Sequence, residues 1–470
     1  MQSPTTGPPP EPAPASGSSQ STPGNAFPLY ALAVLFGMNL LNYVDRYSFF
    51  AVGTHIQREL KIDEYGYGWL AASFMIVYTL VSPLMGWLGD RYDRRYLLAS
   101  GVGLWSVATV GTAFSENFQQ MFFWRALLGV GEATYGVIAP ALLADLFEPK
   151  LRGRVMGLYF LALPVGGAIG YATGGFVADH WSWRAAFWVV GLPGLAVALA
   201  GLWIRDPGRG ASEGKAVAGK ADRPGLADYL GLFRSPTFLL NTAGLAAVTF
   251  VSGAYAAYGS TFYQTVRGMS ATSAGAWIGG LTALAGLVGI GVGAWLADVL
   301  ARFTRRAYLI MAGLAVSAAI VPGWLALLDP DQTTSLALLF GAMVPMAMVL
   351  GPCNTVTANV VPANRRATGY AVSIFLIHLF GDISSPVLIG YLSVKLGTSA
   401  WAASSIGRAF AAIGAKPVEG TNLTAAMLCV VPVMALAAVF FFIGARYLPG
   451  DTDRARKTGG EDDEWPVLAH

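Results

Sequence analysis

Charged side chains are scarce in this chain, at 12% of its 470 residues, whereas a soluble domain carries about 25%. Hydrophobic residues make up 54% of the sequence. This balance excludes an ordinary soluble domain and predicts a polytopic membrane protein.

Cysteine and histidine are also rare, with two and four copies. Cys353 and Cys429 fall in apolar stretches without metal-ligand spacing, and the histidines are scattered, so the sequence predicts no disulfide framework, metal site or Ser/His/Asp set. It also lacks the Gly-x4-Gly-Lys-Ser/Thr loop that binds ATP phosphates. We expect no cofactor and no enzymatic activity, with a membrane-embedded enzyme and a non-transporting receptor as the alternatives.

The net charge is only +3, and no basic stripe is interleaved with aromatic residues, so nucleic-acid binding has no support. Residues 1–26 contain no Lys or Arg, which a secretory signal requires. We therefore expect a disordered N-terminal tail over 1–26, followed by a first apolar helix that is retained.

Twelve apolar runs are long enough to cross a bilayer, which takes about 20 residues. They cover residues 27–56, 66–89, 96–114, 118–146, 153–178, 184–204, 236–264, 271–300, 307–327, 334–361, 367–394 and 422–447. If both termini are cytoplasmic, 21 of the 30 basic residues lie on the cytoplasmic side and seven on the other, as the positive-inside rule requires.

A polar linker at 205–235 divides these runs into six and six, and the halves resemble each other. Gly86-Trp-Leu-Gly-Asp90 follows the second run, and Ala294-Trp-Leu-Ala-Asp298 follows the eighth. We predict an all-α membrane protein with two pseudo-symmetric six-helix bundles, 27–204 and 236–447, that rock around a site at the membrane midplane. Residues 448–470 are expected to form a cytoplasmic tail, disordered from Pro449 onward.

Four ionisable residues interrupt the first and fourth runs: Asp45, Arg46, Arg125 and Glu132. Each costs about 2.5–3.5 kcal/mol at bilayer depth, so such groups are kept where they pair or line a wet cavity. Seven residues of helix bring Arg125 and Glu132 to one face, whereas the neighbours Asp45 and Arg46 point about 100° apart and must pair across to other helices.

Burial favours a protonated carboxyl group, and a nearby guanidinium favours the ionised form. Asp45 and Glu132 are therefore our candidates for proton coupling, in a network whose arginines exchange partners. The alternative is a static salt bridge that fixes helix register. Arg46 and Arg125 are also candidates to bind a substrate head group, because guanidinium binds phosphate through two parallel hydrogen bonds.

A second set of charged residues follows the even-numbered runs on the cytoplasmic side. We predict that it forms a gate that latches the halves together, with a solvated basic loop as the alternative. The predicted gate residues are Asp90, Arg91, Arg95, Asp145, Arg152 and Asp298.

The second half offers aromatic and amide side chains instead of charge. Tyr255, Tyr258 and Asn354 are the predicted cavity-lining residues. His378 is a candidate ligand for an anionic head group, although it can equally form a structural hydrogen bond with Asp382, four residues away. A cavity that is charged on one side and apolar on the other suits an amphiphile or an organic anion.

The 86–95 segment resembles the loop signature of the major facilitator superfamily. LNYVDRY (41–47), GVGEATYGVIAPALLADLF (129–147) and GLYFLALPVGGAIGY (157–171) resemble the Spinster family of lipid transporters. NY-x-DR alone also occurs in organic-anion symporters. The glycines of the fifth run resemble an antiporter motif, with Tyr171 replacing its usual proline.

The Spinster resemblance implies a transporter that works by alternating access, takes a lysophospholipid or sphingoid phosphate, and uses the acids at positions 45 and 132 for proton coupling. An organic-anion or multidrug carrier of the same fold is the alternative. We expect protons and membrane lipids as further partners, a monomer, and a multi-pass location in a prokaryotic inner membrane.

Overall fold

The computed structural model describes residues 26–208, 231–362 and 365–459, which are helical apart from turns and one isolated β-bridge between Val418 and Thr421. Residues 1–25 of the predicted N-terminal tail (1–26), most of the linker and the last eleven residues lie outside the described residues, and Ala26 begins the first helix. The helices of the first half are α1 (Ala26–Ala51), α2 (Gly53–Leu60), α3 (Glu64–Gly89), α4 (Arg94–Thr112), α5 (Phe118–Leu146), α6 (Pro149–Phe160), α7 (Ala162–His180) and α8 (Trp183–Gly201).

The second half mirrors this order. Its helices are α9 (Pro236–Thr265), α10 (Ala271–Ala301), α11 (Ala307–Leu328), α12 (Gln332–Met348), α13 (Leu350–Val360), α14 (Arg366–Phe380), α15 (Ser384–Gly397), α16 (Ser399–Ala402), α17 (Ser405–Ala412), α18 (Leu423–Leu428) and α19 (Val430–Gly459). Spans 1 to 6 are α1, α3, α4, α5, α6 with α7, and α8. Spans 7 to 12 are α9, α10, α11, α12 with α13, α14 with α15, and α18 with α19.

Eleven spans in the described ranges are long and apolar enough to cross a membrane. Span 3 is less apolar, but its 19 residues give about 28 Å of helix at 1.5 Å per residue. It packs between spans 4 and 6, where Gly101 abuts Thr134 and Gly191 abuts Ser106. The twelve-helix architecture predicted from the sequence is therefore confirmed.

Proline explains two of the interruptions within spans. Pro164 and Pro386 lack the N–H that would bond the carbonyl groups of Phe160 and Asp382, so spans 5 and 11 are broken just before each proline. The break in span 11 runs from Gly381 to Ile383 and places the half-buried His378–Asp382 pair at mid-span.

The predicted disorder of the C-terminal tail from Pro449 onward is wrong as far as Gly459. Helix α19 continues to that residue. Asp451 stabilises this extension. Its buried carboxylate accepts hydrogen bonds from the Ser235 hydroxyl at 2.8 Å and from the Thr237 N–H at 2.9 Å, at the start of span 7.

We call the face that carries the linker and the end of α19 the terminal face, and the opposite one the distal face. The halves are joined tightly near the distal face, where span 5 packs on span 8 and span 2 on span 11. A Cβ atom at Gly68 would overlap the Pro386 carbonyl, and one at Gly175 would overlap the Ala271 carbonyl. Only glycine permits these backbone approaches, so the molecule is closed at the distal face.

Candidate functional site: a polar and an apolar compartment

The four predicted charged residues meet at the centre of the first half. Asp45, Arg125 and Glu132 are each 1% exposed. Arg46 donates from Nη2 to Oε2 of Glu132 at 2.5 Å, joining span 1 to span 4. The Asp45 carboxylate instead accepts a hydrogen bond at 2.6 Å from the Thr109 hydroxyl of span 3, and it interacts electrostatically with Arg125.

One aromatic ring, that of Phe74, contacts both arginines. The guanidinium carbon of Arg46 lies 4.7 Å from the ring centroid of Phe74, and that of Arg125 lies 5.0 Å from the same ring. Arg125 also lies 3.8 Å from the ring of Phe49. Ring faces attract cations, so Phe74 can sit between two like charges that would otherwise repel each other.

The quartet retains unused hydrogen-bonding capacity. Within the described structure, Asp45 Oδ1, Glu132 Oε1, Arg46 Nε, and both Nε and Nη2 of Arg125 are buried and have no partner. Buried polar atoms normally have partners, and the exceptions cluster where a ligand, an ion or a proton is handled. The quartet therefore has more buried polar atoms without a hydrogen-bond partner than a purely structural salt bridge would leave.

A polar compartment of about 180 Å³ adjoins this quartet. Arg46 and Glu132 line it together with Asn39, Asn42 and Tyr43 of span 1. Those three share one helical face with Arg46, at the i, i+3, i+4 and i+7 positions. The sequence analysis missed this polar stripe, although its spacing within an apolar span is a readable signal. Thr109 was also missed, because nothing local to span 3 indicates its partner.

His378 reaches the polar compartment from the second half. Its Nδ1 lies 2.7 Å from Oδ2 of Asp382, across the break in span 11. Its ring meets that of Tyr78, in span 2, edge to face at 6.4 Å between centroids. The structure therefore brings His378 and Arg46 to one compartment. Arg125 is not among the residues that line this compartment.

An apolar compartment of about 280 Å³ is lined by Tyr47 and Leu163, which follow the polar-compartment residues Arg46 and Phe160 along spans 1 and 5. It is formed mainly by the second half, with Tyr47, Leu163, Pro164 and Tyr171 as the contribution of the first. Tyr255 lines it, and its hydroxyl donates to the Gly323 carbonyl at 3.4 Å.

Two other predicted lining residues lie elsewhere. Tyr258 is fully buried at the distal seal, with its hydroxyl 2.7 Å from the Glu64 carbonyl and 2.9 Å from that of Pro386. It therefore holds spans 2, 7 and 11 together instead of lining the cavity, which is a correction. Asn354 is exposed and lines neither compartment, and its carbonyl accepts from the Tyr370 hydroxyl at 2.8 Å.

The predicted gate residues lie at the terminal face, where the following contacts join residues of the same half. Arg94 donates to Asp145 at 2.5 Å, and Arg152 donates from Nε to the Ala144 carbonyl at 2.9 Å. Asp298 accepts from the Tyr308 hydroxyl at 3.3 Å.

At the end of span 2, Arg91 lies 4.0 Å from the Trp87 ring centroid, and Arg95 pairs with Asp93 at 3.0 Å. The backbone N–H of Asp90 donates to the Gly86 carbonyl at 3.1 Å. The halves are closed at the distal face in this structure. The latch at the terminal face is predicted for the conformation that is open at the distal face, so it stays a prediction.

Two six-helix halves around a central two-part cavity, closed on one membrane face, define a membrane transporter of the major facilitator class. The model of the Major Facilitator Superfamily matches residues 35–386 of the chain. The chain is 35% identical to protein spinster homolog 1 of Homo sapiens over 392 residues, which cover 78% of this chain and 73% of that protein. Within the superfamily, the chain belongs to the Spinster family.

Protein spinster of Drosophila melanogaster is 34% identical over 380 residues, 77% of this chain and 62% of that protein. Members of the family are transporters, so the protein is a transporter and not an enzyme.

Solved structures share the fold. A bacterial homolog of the human lysosomal transporter Spinster, inward-facing and unoccupied, matches with a TM-score of 0.77 at 24% identity, over 91% of this chain and 99% of that one. A D-xylose-proton symporter matches with a TM-score of 0.69 at 16% identity, over 88% and 97%.

Proposed function

We propose that the protein is a proton-coupled secondary transporter of an amphiphile with a phosphate-bearing head and one hydrocarbon tail, in the lysophospholipid or sphingoid phosphate class. The observation that carries this proposal is that the cavity has two compartments, one polar and lined by Arg46, the other apolar and lined by the next residue of span 1, Tyr47. A single molecule with a charged head group and a hydrocarbon tail can occupy both compartments.

The head group is expected to bind at Arg46 and His378, which approach the polar compartment from opposite halves. Guanidinium is suited to phosphate because it binds two oxygens at once. Contact with both halves lets a bound head group favour the conformational change that carries it across the membrane.

Proton coupling follows from competition for Arg46. The Arg46 guanidinium is bonded to Glu132, and an arriving phosphate needs the same donors. A Glu132 that loses its counter-ion in a buried site is stabilised by taking up a proton. Asp45, held by Thr109 near Arg125, is the second candidate carboxylate, because rearrangement of Arg125 would change its charge balance in the same way.

The orientation follows the excess of basic residues on the terminal face, which we assign to the cytoplasm of a prokaryotic inner membrane. The described conformation is then open inward. In the outward-open conformation, Asp90, Asp298 and the neighbouring arginines would latch the terminal face. We expect a monomer driven by the proton gradient without a bound cofactor.

The test is flux of a lysophospholipid into proteoliposomes under an imposed pH gradient. The wild type should transport the lipid, and the gradient should change the rate. Glu132→Gln and Asp45→Asn should remove the response to the gradient, whereas Asp453→Asn, an exposed acid on α19, should not. Transport of small organic anions without lysophospholipids, or gradient responses that survive both substitutions, would contradict the proposal.

A further inference from the structure

The apolar compartment ends at a defined level below the distal face. Four of its lining residues, each from a different span, lie at this level: Gly259, Ile278, Gly323 and Leu339. Two of the four are glycines, so the space at this end exists because side chains are missing.

The depth of the compartment follows from the helices that line it. Its wall extends from Val248 to Gly259 along span 7 and from Ile278 to Ile290 along span 8. Eleven or twelve helical rises of 1.5 Å correspond to about 17 Å. A saturated chain advances about 1.2 Å per bond, as the three backbone bonds of an extended peptide residue do, so the compartment accommodates about 14 carbon atoms in line.

The two glycines tolerate a small side chain without disturbing the fold. A Cβ atom at Gly323 would lie 3.5 Å from the Cβ of Ala342 and 3.7 Å from the Cε of Met434, which is ordinary contact. One at Gly259 would lie 4.0 Å from Ile278. A longer side chain at either position has the compartment as its available space.

We infer that Gly323 and Gly259 set the longest hydrocarbon tail that the transporter accepts, by holding open the distal end of the apolar compartment. This inference rests on the proposed function. It adds that tail length is selected at spans 7 and 9, far from the charged head-group residues. Tails that exceed the depth must bend or leave carbon atoms outside.

The experiment measures transport and binding of a homologous series of lysophospholipids that share one head group and differ in tail length. The variants are Gly323→Leu and Gly259→Leu. Gly280→Leu is the matched control, because a Cβ atom at Gly280 meets no atom within 4 Å and the residue lies outside the compartment lining. Binding is read from the ligand-induced rise in melting temperature, so a variant that has lost transport is still informative.

Leucine adds four side-chain carbon atoms, so the preferred tail should shorten by about four carbons in either variant. Each methylene that no longer fits should weaken apparent affinity about fourfold. Short-tailed substrates and the Gly280→Leu control should behave as the wild type does.

An unchanged length profile in both folded variants, or equal loss for short and long tails, would overturn the inference while leaving the proposed function intact. If the wild type neither binds nor transports any member of the series, the proposed function itself fails, and the inference fails with it.

Discussion

The Arg46–Glu132 pair allows a quantitative prediction by double-mutant cycle. Its two side chains are 19% and 1% exposed, so removing either partner leaves a nearly desolvated charge uncompensated. Removing one member of a buried pair typically costs 3–5 kcal/mol, and the partial exposure of Arg46 places the expected cost near about 3 kcal/mol. Glu132→Gln and Arg46→Met should each destabilise the protein by that amount.

The double variant should be no less stable than either single variant, because it leaves neither charge unpaired. The expected coupling energy is therefore about 3 kcal/mol. For one cooperative unit of 470 residues, an unfolding entropy of about 1 kcal/mol per degree turns each single loss into a fall of about 3 °C in melting temperature.

Thermal unfolding in detergent, followed by tryptophan fluorescence, measures the four members of the cycle. The matched control is the Arg305–Asp453 pair, whose side chains are 42% and 48% exposed and whose coupling should not exceed about 1 kcal/mol. If the losses of Glu132→Gln and Arg46→Met simply add in the double variant, the pair is not the buried, coupled unit described here.

Three further predictions concern the distal face and the C-terminal helix. Gly68→Leu should prevent distal closure, because its side chain would overlap the Pro386 carbonyl, whereas Gly37→Leu has open space and should not. Asp451→Ala should cost about 2 kcal/mol of stability, because the start of span 7 loses a buried acceptor. Burial in the closed distal face lowers the pKa of His55 from 6.5, so acid should favour the open distal face, where the imidazolium is hydrated.

The first and third of these predictions are measured as the distance between spin labels at Glu116→Cys and Lys416→Cys, in a chain without Cys353 and Cys429. The pKa of His55 also reflects Asp179, which raises it, and Arg58, which lowers it further. Acidification through pH 6.5 should lengthen the label distance in the wild type and not in His55→Gln. An equal change in label distance on acidification of the wild type and His55→Gln would refute the argument about His55. An unchanged label distance in Gly68→Leu would refute the argument about distal closure. Equal melting temperatures of Asp451→Ala and the wild type would refute the argument about the C-terminal helix.

The sequence predicted the fold well because spans are determined locally. Apolar length sets each helix, and predicted boundaries such as 118–146 match α5 at both ends. The end of the last span was predicted wrongly because it depends on contacts with a distant part of the chain. Pro449 and the polar residues after it read as a tail, but the helix is held by Asp451 through contacts with a segment more than 200 positions away.

The candidate site was partly predictable for the same reason. A charged residue inside an apolar run is recognised from the sequence alone. This is how Asp45, Arg46, Arg125 and Glu132 could be selected. Which side chain faces the cavity depends on how helices rotate against each other. Tyr255 and Tyr258 are three residues apart on span 7, yet one lines the apolar compartment and the other seals the distal face.

The most direct test of the account is whether the lipid and the proton move together. A pH-sensitive dye inside proteoliposomes should report a proton flux when a lysophospholipid gradient is imposed across wild-type protein without any initial pH gradient. Glu132→Gln should carry no lipid-dependent proton flux. Lipid transport by the wild type with no accompanying proton movement, or an undiminished proton signal in Glu132→Gln, would contradict the central claim.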